Sequence, residues 1–118
     1  MSFAETVSRI ENLTDDQQEC VELCNEAVEV CEWCADACLG DPDMEECARR
    51  CRDVADIASL HARFLARDSR YSDHLAELCA EACEACAEEC RKHDADHCRA
   101  CADVLPDCAE SCRMLTTA

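Results

Sequence analysis

Glycine occurs once and proline twice in 118 residues, so the chain has little turn chemistry inside its elements. That scarcity excludes a fold of many short, turn-linked segments. With Ala, Glu, Leu and Arg filling the stretches between, the class is all-α. Aromatic residues are nearly absent too: Phe3, Trp33, Phe64 and Tyr71 are the whole set. A core of large apolar side chains is therefore excluded, and the interior must pack closely through small groups or be held by something else. Basic charge is scarce as well. Eleven Lys and Arg stand against twenty-eight Asp and Glu, Lys92 is the one lysine, and the formal charge is −17. Such a surface argues against nucleic acid and anionic membrane as partners. No run is long or apolar enough to span a bilayer. The opening MSFAETVSRIENLTDD carries neither the basic nor the apolar region of a secretory leader, so the expected location is the cytoplasm. At this length one domain is expected over residues 1–118.

What the chain has in abundance is cysteine, fifteen in all. In ECVELCNEAVEVCEWCADAC they fall at Cys20, Cys24, Cys31, Cys34 and Cys38, and with Ala27 restored the spacing runs 4, 3, 4, 3, 4. Residues three and four apart share a helix face, so these cysteines occupy a stripe roughly 80° wide. An oxidised scaffold is disfavoured on three grounds. The count is odd, no leader is visible, and Cβ atoms at i, i+3 or i, i+4 lie about 5–6 Å apart, beyond the reach of a disulfide. The expectation is a reduced metal site.

The remaining chain repeats the design. Residues 3–12 read as a short leading helix with Phe3, Val7 and Ile10 on its apolar face, the last part of an extension over 1–13. Thr14 with Gln17 three residues later reads as a capped start for a first long helix reaching about Leu39, stopped by Gly40-Asp41-Pro42-Asp43. A second helix, from about Asp43 to Arg67, carries the stripe Cys47, Cys51, Val54, Ala58, His61, Leu65. Ser72 and Asp73 are placed to cap a third, roughly 72–92, with Cys79, Cys83, Cys86 and Cys90 and then His93 in step. A fourth, roughly 95–115, carries Cys98, Cys101, Leu105, Cys108 and Cys112, with Pro106 expected to bend it rather than end it. CEWCADAC at 31–38 matches CEACAEEC at 83–90, so the chain reads as two similar helical hairpins. Short connections make sequential helices antiparallel. The expected architecture over 15–115 is an up-down-up-down four-helix bundle with a cysteine-lined core.

Thiolates in a dry core are costly, so without metal the thiols should stay mostly protonated. Cu(I) is soft, favours thiolate, and displaces the protons on binding. A row of sulfurs along an axis suits many such ions. Zinc competes, but structural zinc sites use a tetrahedron of ligands usually presented from loops, whereas Cys31/Cys34, Cys83/Cys86 and Cys98/Cys101 lie inside helical periods. An iron–sulfur electron-transfer protein competes as well, though the loop-borne spacing ending in Cys-Pro is absent. No cysteine has a His–acid partnership that sets it apart as a nucleophile, so an enzyme is not expected.

Cysteine pairs CxxC and CxxxC on all four expected helices, with CEWCADAC and CEACAEEC as local signatures, resemble the copper storage proteins over about residues 15–115. The resemblance implies a four-helix bundle binding multiple Cu(I) ions through inward cysteines, a homo-oligomer (commonly a tetramer), and a role in copper storage, buffering and detoxification. The missing leader is similar to the cytosolic branch. The sequence departs from a cysteine-filled stripe at Ala27, Val54, Ala58 and Leu105.

Among the other residues, His61 and His93 continue the cysteine stripes of their own helices and are candidate metal ligands capping opposite ends of the row. His61 should lie near Cys20, Cys79 and Cys108 or Cys112, and His93 near Cys38 and Cys98. His97 falls just off the stripe of the fourth helix, and His74 has no argument beyond its type. Met44 and Met114 offer thioethers as candidate soft ligands near the two ends, though gap-filling is the more common role of such residues. Trp33 points off the stripe and, with Leu23, Val30 and Ala37, forms a candidate apolar flank.

Overall fold

The computed structural model describes residues 2–7 and 9–116, without the side chain of Val7. A short helix α1 spans Phe3–Val7, and four long helices follow: α2 Asp15–Ala37, α3 Glu45–Ala66, α4 Ser72–Cys90 and α5 Asp96–Met114. In the packing of the described residues, α2 lies against α3 and α5, and α4 against the same two, so the four form a closed ring. Their antiparallel order is that of a four-helix bundle, and its axis is where the stripes meet.

Each boundary has a local cause. At the start of α2, Thr14 Oγ1 accepts from the Gln17 N–H at 3.1 Å, and Gln17 Oε1 accepts from the Thr14 N–H at 2.9 Å. Both orphan donors are thereby satisfied, which stabilises the helix by about 1 kcal/mol. After α2, Gly40 takes φ +82°, the left-handed region where a side chain is strained. Asp41 then accepts from the Asp43 N–H at 3.0 Å, and a 3-10 turn over Pro42–Met44 leads into α3. Met44 is buried there.

Three expectations need correcting. The leading helix is shorter than residues 3–12. It ends at Val7, Phe3 is 53 % exposed, Ile10 lies past the helix, and the Val7 side chain is outside the described residues. Asn12 Nδ2 instead donates to the Leu65 carbonyl at 3.2 Å, tying the segment to the end of α3. Ser72 and Asp73 do not cap α4. Ser72 is already its first helical residue, its hydroxyl is buried without a partner, and Ser69 Oγ turns the chain by accepting from the Tyr71 N–H. Finally, α4 ends at Cys90, short of the stripe position given to His93. Pro106 lies within α5, which continues through it.

Candidate metal centre

All fifteen cysteines are free and buried. Their contacts fix the register of the helices. At the end nearest the 38–45 turn, Cys34 lies 3.7 Å from Cys47 and 4.0 Å from Cys98, and Cys47 lies 3.7 Å from Cys90, sulfur to sulfur. One step further in, Cys51 lies 3.6 Å from Cys86, and Cys101 donates to the Val30 carbonyl beside Cys31. Towards the opposite end, Cys24 and Cys108 are 3.9 Å apart, and Cys20 and Cys112 are 3.7 Å apart. Counting three or four residues along each helix from these pairs gives a stack of layers with one residue per helix. They are Cys34/Cys47/Cys90/Cys98, Cys31/Cys51/Cys86/Cys101, Ala27/Val54/Cys83/Leu105, Cys24/Ala58/Cys79/Cys108 and Cys20/His61/Ala76/Cys112. Cys38 sits above the first layer.

Several groups of donors lie within 4.8 Å of one another: Cys34 with Cys51, Cys90 and Cys101; Cys34 with Cys38 and Cys47; Cys31 with Cys51 and Cys86; Cys24 with Cys79, Cys108 and Cys112. One group adds nitrogen. His61 is fully buried, with Nδ1 3.5 Å from Cys24 Sγ and 3.7 Å from Cys112 Sγ, and joins Cys20 in the same cluster. Its Nε2 has no hydrogen-bond partner. Cys79 and Cys108 lie one layer away from it.

The other histidines fall differently from the stripe reading. His93 Nε2 lies 3.0 Å from Glu89 Oε2, on the last turn of α4. His97, off the stripe by phase, has Nδ1 3.1 Å from Cys34 Sγ and 3.5 Å from Cys98 Sγ. Trp33 meets its ring edge-on, with centroids 6.1 Å apart. The sequence signal for His97 was adjacency: it precedes Cys98 at the start of α5, opposite the Cys34 turn of α2. His74 is exposed, as are Met114 and Trp33.

Shared protons and burial shift the thiols. The hydrogen bond with Cys112 is the largest cause pushing Cys20 up to about 12. Cys24 is raised well above the ordinary thiol range, chiefly by Cys108. Burial leads for Cys38, Cys47 and Cys98, all raised. Cys112 is held low because Cys108, Cys20, Cys24 and Cys79 hydrogen-bond to its thiolate, and Cys51 and Cys90 are held low chiefly by Cys101. A thiolate is thus favoured in the clusters that hold Cys51, Cys90 or Cys112, and further ones are opposed. A bound cation removes that opposition and takes the place of the protons.

A closed ring of four helices lined along its axis by reduced cysteines defines a class: helical-bundle proteins that bind soft metal ions through thiolates. Within that class, the sequence profile described as copper storage protein matches residues 13–117, and the chain belongs to the copper storage protein family. It is 39 % identical over 101 residues to the cysteine-rich protein YhjQ of Bacillus subtilis (strain 168), an alignment covering 83 % of this chain and 94 % of that one. The Cu(I)-bound structure of copper storage protein BsCsp3 superposes with a TM-score of 0.82 at 37 % identity, covering 87 % of this chain and all of that one. A cytosolic copper storage protein from Streptomyces lividans, solved with five coppers, gives 0.80 at 34 % identity over 86 % of this chain and 92 % of its own.

Proposed function

We propose that this protein binds and stores several Cu(I) ions inside its bundle, buffering and detoxifying copper rather than catalysing a reaction. The observation that carries the reading is the stack of buried free thiols with sulfurs 3.6–4.0 Å apart, close enough for neighbours to share ions along the axis. Each ion enters as a monovalent cation and a proton leaves for each thiol that becomes a thiolate, with no change of oxidation state. All fifteen cysteines are the ligand set, His61 adds a nitrogen at one end, and His97 adds one near Cys34 and Cys98. His93, paired with Glu89, stands outside the sulfur layers as a polar group at that rim.

Family membership supports copper over the zinc-stabilised module and the iron–sulfur carrier. The bundle is read as one domain over residues 1–118. The description of the Streptomyces lividans relative as cytosolic supports a cytoplasmic location, and no described helix is long and apolar enough to cross a membrane. A homo-oligomer, tetrameric by the family resemblance, is the expected assembly. With a charge of −17, neither nucleic acid nor membrane is a partner.

The test is an anaerobic Cu(I) titration of reduced protein against a competing chelator, followed by absorbance and circular dichroism. Binding well beyond about four ions per chain, with helicity unchanged, is expected. Saturation at one or two ions, the scale of a single ordinary cysteine site, overturns the storage reading.

A further inference from the structure

Resting on that storage reading, the structure assigns the copper to two separate pools, divided by an apolar layer across the middle of the bundle. In the layer Ala27/Val54/Cys83/Leu105, three of the four helices present carbon where the layers on either side present mostly sulfur. Leu105 and Val54 are, with His61, the largest fully buried side chains among the described residues. The two bulkiest fully buried apolar groups therefore lie at one level.

The gap is long compared with a copper–sulfur step. From Cys24 to Cys31 on α2, and from Cys101 to Cys108 on α5, seven residues span about 10.5 Å along the axis. On α3, no sulfur follows Cys51. An ion passes from one thiolate to the next by exchange, which needs a second sulfur within about twice a metal–sulfur bond, about 4.6 Å. A cation offered only methyl groups pays desolvation with no ligand in return. Each of the sulfur–sulfur contacts described above joins cysteines on the same side of this layer, and Cys83 pairs with Cys108 and Cys79, both in the far half. The step from Cys83 to Cys86 on α4 is the one place where the rows approach.

The pools also differ in chemistry and access. The near pool is thiolate throughout, with His97 at its rim, whereas the far pool ends in the Cys20/Cys24/Cys112/His61 cluster. A pocket of about 440 Å³ reaches Cys38 at the near end. Another of about 270 Å³, lined by Leu65, Ser72, Ala76 and Met114 among others, overlies the last layer at the far end. The near pool thus meets a surface pocket at Cys38, and the far layer lies beneath another at Ala76.

The experiment loads the reduced full-length protein with Cu(I), challenges it with excess Cu(I) chelator, and follows both the released copper and the mass of the protein with its remaining ions. The expected result is two release phases with an intermediate species that keeps one pool. Leu105→Cys, which restores a rung on α5, should merge the phases into one, whereas Leu105→Ile, which keeps carbon at that level, should leave two phases. A single phase in the unaltered protein overturns the division. So does a Leu105→Cys protein that still releases in two phases, or a Leu105→Ile protein that releases in one. Failure to load more than one or two ions overturns the storage reading itself and the division with it.

Discussion

At the scale of single residues, His61 shows most clearly what the core trades for a nitrogen donor. Its ring is fully buried, Nδ1 faces Cys24 and Cys112, and Nε2 has no partner. An orphaned buried polar atom costs about 1–3 kcal/mol. Replacing it by an apolar side chain of similar size removes that cost together with the donor. His61→Leu is therefore expected to make the metal-free protein more stable by about 1 kcal/mol in urea denaturation. The same change should make copper at that end easier for a chelator to withdraw. A metal-free variant less stable than the parent would show that the imidazole is a satisfied part of the packing. This residue was legible in the sequence because the stripe Cys47, Cys51, Val54, Ala58, His61 runs through an unbroken α3, so helical phase alone aims its side chain. His93 and His97 were not legible in that way. Phase stops predicting direction where α4 ends at Cys90, which leaves His93 free to turn to Glu89. His97 sits in the first turn of α5, where a ring a little off the stripe reaches across to Cys34.

At the scale of elements, the four long helices could be read closely because a buried stripe of helical period, cysteine or apolar, runs through each. What could not be read were ends set by tertiary contacts rather than local chemistry. The α1 segment is closed by the Asn12 bond to Leu65, fifty-three residues away, and α4 begins without a side-chain cap. Pro106 is the element-scale oddity. A proline inside a helix removes one backbone hydrogen bond and crowds the carbonyl four residues back, at Ala102, costing up to about 3 kcal/mol against alanine. Yet α5 runs on to Met114, because Leu105, Cys108, Ala109 and Cys112 on the buried face hold both halves against α2 and α4. Pro106→Ala is therefore expected to raise the unfolding free energy of the metal-free protein by up to about 3 kcal/mol, read from its denaturation curve. Copper capacity should stay the same, since Pro106 is only half-buried and carries no donor. A loss of capacity would mean that the proline positions Cys108 or Cys112.

At the scale of the whole molecule, the thiols couple stability to pH, and the sign follows from where the protons sit. Apart from Cys51, Cys90 and Cys112, the shifted thiols are raised, Cys20 from 9.0 to about 12. A raised group binds its proton more tightly folded than unfolded, so above pH 9 the unfolded chain carries fewer protons than the folded one and stability falls as pH rises. The stabilisation is complete below the ordinary thiol value of 9.0 and is lost progressively as pH climbs towards 12. Each thiolate formed also adds to a molecule already at −17, and that self-repulsion works in the same direction. Copper changes the outcome because the ligand thiols have lost their protons before the titration begins. Above pH 9 Cys51, Cys90 and Cys112 are ionised in both states and drop out. Unfolding curves recorded in parallel from about pH 9 to 11 should therefore show the metal-free protein losing stability steadily while the copper-loaded protein stays nearly level. If both fell together, the ionisation responsible would lie outside the metal-bound cysteines, and the core would not be where pH and metal compete.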